Sequence, residues 1–404
     1  MLSEDAIENL IQPIIDRQEY ISNQTIQMIA KRIGEIGTLS PKDIERLKIL
    51  VIMGADIRKL NKELANLTNL QVRDIKQLIK TVALDSYIDA KPLYDYRHKS
   101  FIPFSKNTEL KKIVIAIGNV TAKEYLNISN SKATGFLIGN VGDRNNLTFK
   151  SIEDTYKIAI DNAIIASKSG IVDYKTAMRK VIKQLTDSGV RRLEWESGYT
   201  QRLDTAVRRN LLDGIHAVQQ AMEDKIGEQI NADGKELSVH KNSALDHEPI
   251  QGHIFTNEQW EKLQNNDDFE DVNGKKFSGL DRVIGQWNCR HFAYSIIIGK
   301  SKPRYTQKQL DEFIRKNHEG YTLPDGKHLT MYECTQMQRK LETRIRYAKE
   351  EQMAYQEAND IIGARKARQK IIRLINEYKI FSKNCGLSAQ NDRISVIGYN
   401  AIKV

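Results

Sequence analysis

The chain has few cysteines, prolines and tryptophans: 404 residues include 3 Cys, 7 Pro and 3 Trp. Three cysteines, at positions 289, 334 and 385, are too few and too widely spaced for a disulfide framework. This indicates synthesis in a reducing compartment and excludes the class of small disulfide-stapled secreted domains. The scarcity of proline, together with a hydrophobic fraction of 40%, favours a folded, helix-rich protein.

Long apolar runs are also missing. No uninterrupted stretch approaches the ~20 residues that a membrane-spanning helix requires. The amino terminus, Met1 to Glu8, is acidic and lacks the basic start and apolar core of a signal peptide. We therefore expect a soluble protein made in the cytoplasm, without a membrane partner.

Charge is abundant and biased towards the positive. Lys and Arg number 62 against 52 Asp and Glu, for a net charge of +10. The mean hydropathy of −0.52 predicts long solvated helices or an elongated molecule. The positive excess favours an anionic partner, and nucleic acid and an acidic protein are both open.

Changes in composition and in the spacing of apolar residues divide the chain into four predicted regions. Residues 1–105 are a helical region, in which Ser40-Pro41 marks a helix start and Asn66 to Asn69 a break between short helices. Residues 106–234 are helical and end in a long amphipathic helix, and 235–332 form a compact α+β module. Residues 333–404 form a basic helical hairpin with a break near Asn359, followed by a final strand. The fold class is therefore α+β, predominantly α-helical.

The long amphipathic helix has the most regular pattern. One apolar stripe advances by three or four residues over about seven turns, which predicts one buried helix face. Its members are Leu203, Val207, Leu211, Ile215, Val218, Met222, Ile226 and Ile230.

Two groups of basic residues are candidates for contact with nucleic acid or an acidic partner. The alternative for both is an ordinary solvated helix face. The first group lies around the start of the long helix, and the second lies in the hairpin: Arg191, Arg192, Arg202, Arg208 and Arg209, then Arg365, Lys366 and Arg368.

The segment between residues 86 and 105 is rich in aromatic side chains without helical periodicity. Tyr87, Tyr94, Phe101 and Phe104 are among them. We interpret it as an aromatic-anchored connector, with a binding loop as the alternative.

The densest concentration of scarce residue types is a five-residue motif. This motif, Trp287 to His291, can be interpreted together with the upstream His240 and His247 as a metal site, a catalytic site or a packed structural element. Zinc favours four nitrogen and sulfur ligands, and the candidate ligands are His240, His247, Cys289 and His291, although these spacings are unusual for zinc. A catalytic site would use Cys289 as a nucleophile, or the histidines with Arg290 for acid–base cleavage of a phosphodiester.

Packing is the interpretation that the residues favour. A buried aromatic ring with hydrogen-bonding neighbours can hold loops together without a cofactor or turnover. The motif consists of Trp287, Asn288, Cys289, Arg290 and His291.

Five short motifs occur in order between about residues 195 and 395. They are Ser197 to Gly214, His240 and His247 with Gln251-Gly252, Gly285 to His291, Arg304-Tyr305-Thr306, and Tyr332 to Leu341. Through these motifs the stretch resembles the minor capsid protein 2 family of tailed bacteriophages, relatives of the Mu F-like head-morphogenesis proteins.

The resemblance implies a virion protein of the capsid interior, located at or near the portal vertex. It implies a role in head assembly, with portal protein, the major capsid protein and non-specifically bound phage DNA as partners. It implies a structural protein rather than an enzyme, with no required cofactor. The alternative is a nuclease-like or zinc-dependent enzyme carried in the virion.

Overall fold

The computed structural model describes residues 4–38, 49–129, 133–139, 147–169, 173–194, 197–285, 289 and 291–402. These form two compact units, each assembled from three separate segments of the chain. The first unit contains Met1–Ile11, Asp74–Lys123 and Arg209–Met337, and the second contains Gln12–Arg73, Glu124–Arg208 and Gln338–Val404. The predicted four-region division stays a prediction.

Helices dominate both units, and the predominantly helical α+β class is confirmed. The α-helices in the described part of the chain are α1 Glu4–Ile36, α2 Ile49–Asp89, α3 Lys91–Tyr96, α4 Thr108–Ile128, α5 Ile152–Ser169, α6 Tyr174–Ser188, α7 Leu203–Ile230, α8 Asn257–Gln264, α9 Gln307–Glu319, α10 Met331–Glu357 and α11 Ile361–Asn384.

The strands are short and all pair antiparallel. One sheet has the order β2-β1-β3-β4 and another the order β6-β5-β9, while β7 pairs with β8 and β10 with β11. Their bounds are β1 Thr134–Ile138, β2 Thr148–Ser151, β3 Arg191–Leu193, β4 Thr200–Arg202, β5 Gly234–Leu237, β6 Ile254–Thr256, β7 Phe269–Glu270, β8 Lys276–Phe277, β9 Ala293–Ile296, β10 Tyr321–Thr322 and β11 His328–Leu329.

The long helix predicted from the apolar stripe is confirmed as α7. All eight residues of the stripe are buried, and none is more than 3% exposed. The regular spacing of three and four residues keeps them on one helix face, which faces protein along its whole length.

The N-terminal region is helical as predicted, but its helices are longer than the sequence indicated. The helix α2 continues through Asn66 to Asn69, where we expected a break. Asn and Thr are only weakly unfavourable inside a helix, and neither Gly nor Pro interrupts this stretch. The predicted helix start at Ser40-Pro41 lies outside the described residues.

The aromatic segment packs as a connector, as predicted. The Tyr87 ring stacks on Phe101 with centroids 4.6 Å apart and an interplanar angle of 18°. Tyr94 meets Phe101 edge to face at 5.3 Å. The Tyr87 hydroxyl donates to the carbonyl of Ile102 at 2.7 Å. The rings therefore fix the path of the chain after α2.

The C-terminal hairpin is confirmed as α10 and α11, and the turn between them contains Asn359 at a φ of 56°. The predicted final strand is wrong: a 3-10 turn, Asp392–Ile394, precedes a segment without regular structure. Backbone carbonyls after Asp392 accept hydrogen bonds from side chains of α10: Lys349 donates to the carbonyl of Ile394 at 2.5 Å, and Gln352 donates to that of Asn400 at 3.2 Å. The alternation of buried residues therefore reflects packing on a helix rather than pairing with a strand.

The predicted compact module contains the sheet β6-β5-β9 and a small apolar core. Its buried members are Leu237, Ile250, Phe255, Leu263, Phe269, Leu280, Ile284 and Cys289, with Trp260 and Phe277 packed against them.

Candidate metal centre

The residues of the candidate site come from three places around the sheet β6-β5-β9. His240 follows β5 by three residues, and His247 lies in the turns between β5 and β6. Cys289 and His291 immediately precede β9. The amide of Phe292 donates to Ser238 Oγ, and that of Ser238 donates to the carbonyl of Phe292, so the approach to β9 is tied to the chain leaving β5. The sheet therefore brings together residues that are far apart in sequence.

His247, Cys289 and His291, here called the His–Cys cluster, place their donor atoms within 4.8 Å of one another, and all three residues are buried. Cys289 Sγ lies 3.4 Å from His247 Nδ1 and 3.6 Å from His291 Nδ1. Two imidazole nitrogens therefore face one sulfur atom.

Hydrogen bonds to the far nitrogens fix the orientation of both rings. His247 Nε2 donates to the carbonyl of Arg282 at 2.5 Å, and His291 Nε2 donates to Gln251 Oε1 at 3.4 Å. Because a carbonyl oxygen can only accept, each Nε2 carries the proton of the neutral ring. Each Nδ1 therefore points a lone pair towards Cys289.

A second layer of contacts holds these acceptors in place. Arg282 forms an ion pair with Asp246 through Nε at 2.9 Å, which positions the carbonyl that His247 uses. Gln251 Oε1 also accepts from the backbone amide of His240 at 3.0 Å. His216 Nε2, on α7, donates to the carbonyl of His291 at 2.6 Å. The cluster thus has an ordered outer shell.

Two glycines of the family-like motifs are required by this arrangement. Gly285 has a φ of +85°, and a Cβ added there would lie 2.8 Å from the His216 ring. Gly252 has a φ of +74°, and its added Cβ would lie 2.5 Å from Leu310. Positive φ selects glycine at both positions, and at Gly285 the His216 ring also leaves little space for a side chain.

Burial dominates the electrostatics of the cluster. It lowers the pKa of His247, and it lowers the pKa of His291 well below its ordinary value, to which neighbouring histidines contribute. Burial also raises the pKa of the Cys289 thiol. Burial thus disfavours every charged form, and no carboxylate lies in the cluster itself.

Two nitrogens and one sulfur form a donor set suited to zinc. With Zn–S near 2.3 Å and Zn–N near 2.0–2.1 Å, a tetrahedral ion holds S and N donors about 3.5 Å apart. The two Sγ–Nδ1 distances, 3.4 and 3.6 Å, bracket that value. Covalent catalysis by Cys289 fits less well, because a reactive cysteine needs access and a lowered pKa.

The other predicted members of the site have different placements. The His240 ring lies edge to face with His291, with centroids 4.5 Å apart, outside the three-residue cluster. Trp287, Asn288 and Arg290 lie outside the described residues. The predicted packing role of the five-residue motif therefore stays a prediction.

The first group of predicted contact arginines is largely engaged within the protein. Arg202 is buried and its guanidinium donates to Glu350 at 2.8 and 2.9 Å, so it presents no free surface to an anionic partner. Arg192 forms an ion pair with Glu124 at 3.1 Å, and Arg191 donates to Thr200. Arg208 and Arg209 are half-buried. Arg202 is therefore not a surface contact residue, contrary to the prediction, because its guanidinium is buried against Glu350.

The second group lies on α11 and is more accessible. Arg365 and Lys366 are exposed, while Arg368 is half-buried and donates to the Tyr399 hydroxyl at 3.3 Å. Further exposed cations continue along the same helix. Together the exposed cations, here called the basic face, are Arg365, Lys366, Arg373, Lys379 and Lys383.

Sequence reasoning missed the outer shell of the cluster. His216 had a weak signal, since it stands next to Ile215 of the buried stripe, where a histidine needs a buried partner. Asp246 and Arg282 had none, because they are 36 residues apart.

No curated protein and no solved structure matches the chain. None of the described helices combines the length and apolar character needed to cross a membrane. The family described as phage minor capsid protein 2 matches residues 2–381, and the match therefore also covers the region that precedes the stretch on which the resemblance rested. The chain belongs to the phage minor capsid protein 2 family, and is thus a capsid protein of a bacteriophage virion.

Proposed function

We propose that this chain is a structural head protein at or near the portal vertex inside the capsid, where it contributes to head assembly and contacts packaged DNA. The observation that carries this proposal is the family match over residues 2–381. A structural role accords with it, because the family is one of capsid proteins and the most site-like residues are buried. In this proposal portal protein is the principal partner, and the major capsid protein is a further one.

The basic face of α11 is the surface that we propose for DNA. Five exposed cations lie on one helix of 24 residues. Among the residues that the structure describes, no ion pair engages any of the five. Flexible exposed Lys and Arg side chains contact phosphates without reading sequence, which suits DNA of arbitrary sequence.

A salt titration tests the DNA contact. We expect the full-length chain to bind duplex DNA non-specifically, with Kd of ~10⁻⁴ to 10⁻⁶ M at physiological salt. Replacing Arg365, Lys366 and Arg373 with Gln should reduce the slope of log K against log salt by about one for each lost phosphate contact.

Two exposed lysines of the compact module, Lys262 and Lys276, provide the matched control. Their replacement with Gln should leave the slope nearly unchanged. Equal losses in the two variants would contradict a localised DNA surface. Absence of binding by the native chain at low salt would leave an acidic protein as the partner of the basic face.

Portal association is best tested with the whole chain, because each compact unit combines three segments that are separated in the sequence. Cryo-EM of the portal vertex of the virion should show density for this protein next to the portal. Density distributed over the whole capsid lattice would contradict the proposed location.

A virion enzyme is the second candidate, and the His–Cys cluster is the feature that favours it. Incubation of the purified chain with duplex and single-stranded DNA, with Mg²⁺ or Zn²⁺, should give no cleavage. Cleavage that His291→Ala abolishes would move the chain to the enzymes.

A further inference from the structure

We propose that the His–Cys cluster binds one zinc ion, with His240 as the fourth ligand, and that the ion fastens the chain after β5 to the chain before β9. The site is structural and closed, with four protein ligands and no position left for substrate. It is compatible with a capsid role, and it stands whether or not the portal location is correct.

The first support is the separation of the donor atoms. Three neutral donors converge, with Sγ–Nδ1 distances of 3.4 and 3.6 Å. A tetrahedral zinc ion sets about 3.5 Å between S and N ligands. A thiol proton serves only one of the two Nδ1 lone pairs at a time, whereas a metal ion binds both nitrogens and the sulfur together.

The second support is the outer shell. Histidines that bind metal commonly donate their other N–H to a carbonyl or a carboxylate, which fixes the tautomer and the ring orientation. His247 does so with the carbonyl of Arg282, and His291 faces the side-chain oxygen of Gln251. Both rings are therefore preset with the correct nitrogen facing the centre.

The third support is the construction of the module. His247 and Cys289 are 42 residues apart, and the strands between and around them are two to four residues long. Short strands around a small core bury little surface, so a cross-link between distant segments contributes directly to folding.

The fourth ligand is assigned by proximity. The ring centroid of His240 lies 4.5 Å from that of His291, and the backbone amide of His240 donates to Gln251, the residue that also orients His291.

The donor set determines which metal ion is preferred. Thiolate and imidazole together suit zinc, whereas magnesium and calcium prefer oxygen ligands.

Metal content of the full-length protein is the first test. Protein purified without chelator from zinc-supplemented cells should contain about one zinc ion per chain by elemental analysis. Cys289→Ser should lose that zinc. Cys334→Ser and Cys385→Ser are matched controls, because both cysteines are also buried but lie outside the cluster. They should keep it.

Cobalt provides a readout that does not depend on variants that fold poorly. Apoprotein of the native sequence, reconstituted with Co²⁺, should show a thiolate-to-cobalt charge-transfer band and the strong visible absorption of a tetrahedral site. Added Zn²⁺ should displace the cobalt and abolish both features.

Two substitutions then separate the inner and outer ligands. Gln251→Ala should keep the metal but weaken zinc binding about 10–100-fold, as is typical for loss of an outer-shell partner. His240→Ala should weaken zinc binding further than Gln251→Ala does, since it removes a ligand. Unchanged affinity in His240→Ala would overturn the assignment of the fourth ligand.

The proposal as a whole is overturned by native protein that contains no zinc and shows no cobalt–thiolate band after reconstitution. It is equally overturned if Cys289→Ser retains zinc to the same extent as the two control variants.

Discussion

Two buried polar clusters, one in each compact unit, avoid unpaired buried charge in different ways. In the second unit, Arg202 pairs with Glu350 at 2.8 Å and Arg346 pairs with Glu19 at 3.1 Å, with Asp204 3.8 Å from both arginines. We call these five residues the charged cluster. In the first unit, the His–Cys cluster contains only groups that burial keeps neutral.

The difference indicates which cluster is complete without a ligand. The charged cluster supplies its own counter-ions, and the Arg202 guanidinium also lies 3.7 Å from the centre of the Tyr347 ring. The His–Cys cluster directs two nitrogen lone pairs and a sulfur atom at one another. Such a set is satisfied by the thiol proton, which serves one nitrogen at a time, or by a metal ion, which all three bind simultaneously.

The largest expected effect comes from breaking the charged cluster. Arg202→Ala leaves Glu350 buried without its partner, which should lower the free energy of unfolding by about 3–5 kcal/mol. Denaturant unfolding measures the change, and Arg202→Met with Glu350→Leu should recover most of it. A loss below about 1 kcal/mol in the single variant would mean that the pair behaves like an exposed one.

A smaller effect is expected from pH, which should change the free energy of unfolding through the charged cluster. The charged cluster has three carboxylates and two guanidinium groups, and burial raises the pKa of Glu19 to about 8, in spite of Arg346. Since the pKa of Glu19 is higher in the folded than in the unfolded chain, the folded state favours the protonated carboxyl. The contribution of Glu19 to stability is therefore full below about pH 4.5 and is lost as the pH rises through 8.

The free energy of unfolding, measured by urea denaturation, should therefore fall between pH 6 and pH 9 by more in the native chain than in Glu19→Gln, with a difference of at most about 1.4 kcal/mol for each pH unit below the pKa of about 8. The exposed Glu109→Gln is the control and should follow the native chain. An identical fall in Glu19→Gln would assign the pH dependence to other groups.

The smallest effect tests the frame of the His–Cys cluster. Gly285→Ala forces a side chain into a φ of +85° and against the His216 ring. We expect a loss of more than about 1 kcal/mol, together with weaker zinc binding. Gly274→Ala is matched in backbone strain, with a φ of +79° and no atom within 4 Å of the added Cβ. Gly274→Ala should lose stability without altering zinc binding. If it weakens zinc binding as much as Gly285→Ala does, the contact between Gly285 and His216 is not what supports the zinc site.

Local periodicity explains which features could be predicted. The helix α7 follows from the spacing of its apolar residues, and the hairpin α10–α11 from a similar pattern with Asn359 at the turn. The alternation after Arg393 was misleading, because Ile394 and Val396 are buried against a helix rather than in a sheet.

Long-range convergence explains the rest. The sequence nominated four metal ligands by residue type, but it could not show that His247 and Cys289, 42 residues apart, would lie 3.4 Å from each other. Arg202 was mispredicted for the same reason, because its contact is also with a residue far away in the sequence. Its partner Glu350 is 148 residues away, so the sequence presented a free cation where the fold contains a buried ion pair.

The most direct test of the proposed zinc site is X-ray absorption spectroscopy at the zinc edge of the full-length protein. We expect one sulfur ligand at about 2.3 Å and three nitrogen ligands at about 2.0–2.1 Å, with the whole zinc signal lost in Cys289→Ser and the zinc–sulfur distance kept in Cys334→Ser. A zinc environment of oxygen and nitrogen alone in the native protein, or the absence of bound zinc, would contradict it.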